Sequence, residues 1–173
     1  MSKKKNIFFI IFSIYFFFTP FFAFSQTINK IEIKGNDRIP NETILMFSDV
    51  NIGENIDDNK LNLILKNLYE SNFFKDVIVK IDNGVLEIDL IEFPIIENVS
   101  YNGIKAKKII ELITKNLELK SRSSFNEFIL LNDRKKILSA LKEEGYFFAK
   151  IDTLIAEKED NKVDLTYEIN LGD

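Results

Sequence analysis

Two stretches decide the fold: Ile31-Glu32-Ile33-Lys34-Gly35 and Val99-Ser100-Tyr101-Asn102-Gly103. Each alternates apolar with polar and stops at glycine, the pattern of a half-buried strand and its turn. The likeness continues into the residues beyond. After the first, Pro40 opens a helical stretch, Asn41 to Ser48, carrying Ile44, Leu45 and Phe47. Asp57 or Asp58 can cap a second helix, which sets Leu61, Ile64, Leu65 and Leu68 on one face at i, i+3, i+4, i+7. After the second, Lys105 to Asn116 carries Ile109, Leu112 and Ile113. Ser124-Phe125-Asn126-Glu127 then reads as a capping box for a helix bearing Phe128, Leu131, Leu138 and Leu141, with Gly145 past its end.

Each copy closes on an aromatic cluster and two strands. Asn72-Phe73-Phe74 corresponds to Gly145-Tyr146-Phe147-Phe148, whose rings are expected in the core or packed between the copies. Val77, Val79 and Ile81 alternate, as do Ile151, Thr153 and Ile155. Asp82-Asn83-Gly84 is a strong hairpin turn, and Glu159-Asp160-Asn161 is its weaker counterpart. The last strands carry Leu86, Ile88 and Leu90, then Val163, Leu165 and Tyr167, and Phe93-Pro94 links the copies. The fold class is therefore α+β: two tandem βααββ units, each a three-stranded mixed sheet covered by two helices.

Residues 1–25 are of another kind. Lys3, Lys4 and Lys5 precede an apolar run from Ile7 to Phe18, and Ala23-Phe24-Ser25 offers small residues at the two positions a signal peptidase reads. The expected division is a signal peptide at 1–25 and two units at 26–94 and 95–173. An uncleaved membrane anchor is the alternative. Residues 26–173 hold 20 basic against 27 acidic side chains, a net −7, which disfavours nucleic acid as a partner.

With no Cys and no His in the chain, disulfides, thiolate nucleophiles, His-based triads and Cys/His zinc sites are excluded. No glycine stands in a phosphate-cradling pattern. Asp57-Asp58 and Glu143-Glu144 read as caps or solvated surface, and Lys120-Ser121-Arg122-Ser123-Ser124 as a loop entering a helix. Lys105, Lys107 and Lys108 read as a solvated helix face. No catalytic, cofactor-binding or metal site is expected.

The repeat resembles the POTRA repeats of the outer-membrane protein assembly factor (BamA) family. The resemblance is carried by Ile31, Ile33, Gly35, Asn36, Ile39 and Pro40, by Leu68, Phe73, Phe74, Asp76 and Val77, and by Glu92, Phe93, Pro94, Ile96, Tyr101 and Gly103. In the second copy Gly145, Tyr146 and Phe147, then Glu168 to Gly172, carry it. It implies a module at the periplasmic face of the outer membrane that receives unfolded outer-membrane proteins and docks assembly-machine lipoproteins and periplasmic chaperones. Family members continue into a membrane barrel. No run of ten-residue alternating strands stands here, so contact with the outer membrane is expected through a C-terminal barrel missing from the sequence. The division protein FtsQ and two-partner secretion transporters share the unit and form the alternative.

A sheet border presents unpaired N–H and C=O groups with which an extended client can pair, largely without regard to its sequence. The resemblance implies that the client-binding border is the strand after each second helix. In the first copy that is Asp76, Val77, Ile78, Val79, Lys80 and Ile81; in the second it is Lys150, Ile151, Asp152, Thr153, Leu154 and Ile155. Ile78 is taken as an outward position, and a groove between border and helix as a second contact surface. Lys75, Lys80 and Lys150 discourage self-pairing.

Overall fold

A computed structural model describes residues 25–172. The expected signal segment falls almost wholly on residues 1–24, outside that range. In the first unit β1 (Gln26–Thr27) and β2 (Lys30–Lys34) precede α1 (Asn41–Ser48), β3 (Asn55–Ile56), α2 (Asp58–Glu70), β4 (Phe74–Asp82) and β5 (Val85–Glu92). The second unit comprises β6 (Ile95–Asn102), α3 (Lys107–Thr114), α4 (Glu127–Glu143), β7 (Lys150–Lys158) and β8 (Lys162–Asn170).

The sheets repeat the same topology, in the order β2-β5-β4 and β6-β8-β7. In each, the first strand joins the last in parallel, and the hairpin partner pairs antiparallel on the other side. The central strands alternate as a one-sided sheet requires: Leu86, Ile88 and Leu90 are buried in β5, and Val163, Leu165, Tyr167 and Ile169 in β8. Glu87, Asp89, Asp164 and Glu168 lie between them on the other face. Each unit has its own core under its two helices. Tyr167 is fully buried and stacks on Tyr101 at 5.3 Å between ring centroids. Outside the sheets, β1 and β3 form a two-residue antiparallel pair.

Gly35 and Gly103 end the first strands at φ +80° and +87°. A Cβ on either would overlap a backbone carbonyl oxygen, of Leu90 or Ile169 respectively. The chain leaves each sheet across its central strand at a place only glycine fits.

The second unit departs from expectation in four places. The capping box at Ser124 does not form: Asn126 caps α4, its side chain accepting from Phe128 N at 2.8 Å. The preceding residues are held instead as an extended segment, with Ile96 N donating to Ser123 O (2.9 Å) and Phe125 N to Pro94 O (2.7 Å). Phe128 and Leu131 consequently stand on the outer side of α4, and its buried face is Leu130, Asp133, Ile137 and Leu141. The helix expected over 105–116 is confined to Lys107–Thr114. Finally, Phe147 and Phe148 are 69% and 74% exposed rather than packed, and only Tyr146 of that cluster joins the core.

Asp133 is a carboxylate with no solvent exposure, and its oxygens accept from Glu118 N and Leu119 N at 2.8–3.1 Å. The first unit uses Glu92 similarly. Its Oε1 accepts from Arg38 N (3.0 Å) and Ile39 N (2.9 Å), and its Oε2 pairs with Arg38 Nε at 2.9 Å. Both carboxylates satisfy loop amides that burial would otherwise leave unpaired.

Candidate functional site

The strand orders put β4 and β7 at the outer edges of their sheets. Hydrogen-bond parity decides which of their backbone groups point outward. In an antiparallel pair, residues alternately face the partner strand and face away from it. Asn83 and Gly84, at φ +48° and +79°, make a two-residue turn that bonds Asp82 to Val85. Counting back, Lys80, Ile78 and Asp76 face β5, while Ile81, Val79 and Val77 face out. The other side of the sheet agrees, because Gly84 O accepts from Asn29 N and Lys30 N and so turns toward β2. In the second unit Asn161 O accepts from Ile95 N and turns toward β6. That leaves Lys150, Asp152 and Leu154 bonded toward β8, and Ile151, Thr153, Ile155 and Glu157 facing out.

Ile78 therefore does not offer its amide to a newcomer. Its side chain is exposed, but its backbone is spent on the ladder with Asp89. Side-chain face and hydrogen-bond direction both alternate with period two and stay in phase along the strand, so in β4 the residues with exposed side chains, Ile78 and Lys80, are the ones whose backbone faces β5. A count outward from the turn, which the sequence permits, gives the direction, and it also adds Glu157, which lies beyond the stretch implied by the resemblance.

The two edges are closed at equivalent points. In β4 the Val77 amide donates to the Tyr69 hydroxyl (3.2 Å) and to the Asp76 carboxylate (2.9 Å), and the Tyr69 hydroxyl donates to Asp76 (3.0 Å). In β7 the Ile151 carbonyl accepts from Arg134 Nη2 at 2.7 Å. The second helix of each unit thus supplies a side chain that occupies the start of the edge. A bulge at Lys75 bends β4 at that same end. Beyond these points Val79 and Ile81, and Thr153, Ile155 and Glu157, have no outward hydrogen-bond partner among the described residues.

The edges differ in openness. The side chains of Val79 and Ile81 pack against the core of the first unit. The later half of β7 is exposed on both faces, with Leu154 at 59% and Ile155 at 41%. Lys80 pairs with Glu87 at 2.7 Å, and Lys158 with Asp164 and Glu97 at 2.6 Å each. The hydrogen bond to Glu87 raises the Lys80 amine above its ordinary pKa, and those to Asp164 and Glu97 do the same for Lys158. These lysines remain charged, a deterrent to pairing between two copies of one edge.

A cleft of about 470 Å³ opens beside β7. Phe125 and Phe128 at the start of α4 form one wall, Ile155 and Val163 the floor, and Phe93 and Pro94 the far side. The expected groove between edge and helix is thus shared with the first unit. Asn126 Nδ2 donates to Asn72 Oδ1 (3.1 Å) and Asn161 Nδ2 to Glu92 O (3.3 Å) across the same junction.

Known proteins share this architecture. The POTRA family, described as a surface antigen variable number repeat, matches residues 26–91 and 94–172. The outer membrane protein assembly factor BamA of Neisseria meningitidis serogroup B is 31% identical over 153 residues, or 84% of this chain and 19% of that protein. BamA of Neorickettsia risticii is 32% identical over 92 residues, covering 53% of this chain and 12% of the relative. Among solved structures, the N-terminal domain of Omp85 from Thermosynechococcus elongatus superposes with a TM-score of 0.58 at 15% identity, covering 86% of this chain and 63% of that one. POTRA1-2 of Omp85 from Anabaena gives 0.53 at 12% identity, covering 87% and 98%. The chain spans about a fifth of the length of the Neisseria relative.

Proposed function

The chain belongs to the POTRA family, and from that premise we propose that it is a periplasmic receiving module of the outer-membrane β-barrel assembly machinery. Its clients are unfolded outer-membrane proteins, which add a strand to the edges of β4 and β7. Assembly-machine lipoproteins and periplasmic chaperones dock on its remaining surface, and residues 1–25 direct its export. The relatives named as assembly factors support the setting. The single observation that carries the mechanism is the run of unpartnered outward groups at Val79 and Ile81, and at Thr153, Ile155 and Glu157. Main-chain pairing serves a receiver of many sequences, because every client has the same backbone.

The test is a set of prolines. Thr153→Pro and Val79→Pro each delete one outward donor while sparing the ladder, as edge strands tolerate. A labelled ten-residue barrel-strand peptide should bind each about 3- to 10-fold more weakly, the worth of roughly one net hydrogen bond. Ile78→Pro breaks a ladder bond instead and should lower the melting temperature. Unchanged peptide affinity in both edge variants, with both folded, would refute pairing at these edges.

A further inference from the structure

We propose that Asn72 and Asn161 are positioning residues: two side chains, one from each unit, that lock the pair in a single arrangement and so fix the β4 and β7 edges in relation to each other. The inference concerns the junction alone and stands whatever the edges bind.

The repeat supplies an internal comparison. Asn72 follows the second helix of the first unit in the left-handed conformation, at φ +59°, and the residue at that place in the second unit is Gly145, at φ +96°. Asn161 is the second left-handed residue of its hairpin turn, at φ +52°, and its counterpart in the first unit is Gly84, at φ +79°. Glycine takes these conformations freely, whereas asparagine takes them at some cost. Of the four places two face the junction, and those two carry asparagine.

Each of these side chains bonds across the junction through one particular atom. Asn126 Oδ1 accepts from Phe128 N as the cap of α4, which leaves its Nδ2 to donate to Asn72 Oδ1 at 3.1 Å. The Asn72 Nδ2 turns back to its own unit, donating to the Glu70 carbonyl at 3.2 Å. Position 72 therefore gives the junction an acceptor. Position 161 gives it a donor, Asn161 Nδ2 reaching the Glu92 carbonyl at 3.3 Å.

The linker backbone leaves these bonds a pivot to close. Phe93 is held by the first unit, its N–H donating to Phe73 O (2.9 Å) and its carbonyl accepting from Arg38 Nη2 (2.8 Å). Pro94 is held by the second, its carbonyl accepting from Phe125 N at 2.7 Å, and its ring fixes φ. What remains is a turn about the connection between these two residues. Each asparagine bond is worth a factor of about 5 in population against that turn, and the two together about 25.

The test is a distance measurement. The chain has no cysteine, so Lys66→Cys and Lys107→Cys, at exposed positions on α2 and α3, take nitroxide labels at those sites alone. Pulsed dipolar EPR then reads the spread of distances between the units. The labelled parent should give one narrow distance, and adding Asn72→Gly and Asn161→Gly together should make the distribution about twice as wide or more. Glycine suits both backbones, so melting followed by circular dichroism should move little. Asn72→Asp should stay narrow, because a carboxylate still accepts. Asn161→Asp should broaden as Asn161→Gly does, because the donor is gone. A double-glycine variant as narrow as the parent, or a parent as broad as that variant, overturns the lock. So does an Asn161→Asp distribution as narrow as the parent's, which would mean that the asparagine serves its own turn and not the neighbouring unit.

Discussion

Replacing Gly35 by Ala should cost far more than replacing Gly53, although both have positive φ, at +80° and +89°. At Gly53 nothing lies within 4 Å of the added Cβ. The cost there is the left-handed conformation alone, about 1–2 kcal/mol, offset by up to about 1 kcal/mol from a less flexible unfolded chain. At Gly35 the Cβ overlaps the Leu90 carbonyl oxygen, and a backbone group in the central strand cannot swing aside. Forcing it adds an overpacking cost of about 1–3 kcal/mol. The expected totals are roughly 0.5–1 kcal/mol for Gly53→Ala and about 2–4 kcal/mol for Gly35→Ala. For a unit of this size each kcal/mol moves the melting temperature by about 4–8 °C, so the two variants should separate by about 10 °C. The second unit supplies an independent pair, since Gly103 meets the Ile169 carbonyl while Gly145, at φ +96°, meets nothing. Calorimetry on the four variants reads the difference directly. Equal melting losses within each pair would mean that conformational strain decides and that the close approach of strand exit to central strand plays no part.

Asp133→Ala should orphan the Glu118 and Leu119 amides and destabilise the second unit by about 3 kcal/mol, with Asp133→Asn losing less; urea unfolding measures both. Glu87, Glu118 and Asp164 are held below their ordinary pKa by hydrogen bonds from Lys80, Lys136 and Lys158. A depressed folded pKa gives stability that is complete above the unfolded value and lost as pH falls through the folded one. The melting temperature should therefore be flat above about pH 5 and fall below about pH 4, with a shallower fall in Lys80→Met. Mass spectrometry of protein recovered from the periplasm should find Gln26 at the amino end; an intact Met1 would instead indicate a retained anchor.

The repeated strand–helix–helix–strand–strand order is legible in the sequence because each element carries a local signature. Alternation marks β5 and β8, i, i+3, i+4 spacing marks α2, and Asn83-Gly84 marks the first hairpin. The rest depends on distant chain. The Ser124 capping signature is locally sound, yet backbone bonds from Ile96 to Ser123 and from Phe125 to Pro94 hold that stretch extended and pass the cap to Asn126. Apolar spacing misplaces the buried stripe of α4 because one of its members is Asp133, and a carboxylate interrupts any apolar pattern however well its oxygens are satisfied. β1 and β3 are two residues each, too short for a period to show. The resemblance points to the edge strands, but the direction of each amide needs the parity count, and the pocket beside β7 needs the first unit in place.

The parallel pairing of first strand with last also sets an order of events as the chain emerges, amino end first, from a ribosome or an export channel. β6 pairs with β8 from Ile95–Lys162 to Asn102–Glu168, so its partner is the final stretch of its unit to appear. Ile95 itself is seated by Asn161, in the turn of a hairpin not yet made. Each unit must wait with its leading strand short of its ladder partner until the closing hairpin arrives, and that delay is when a chaperone would have most to hold.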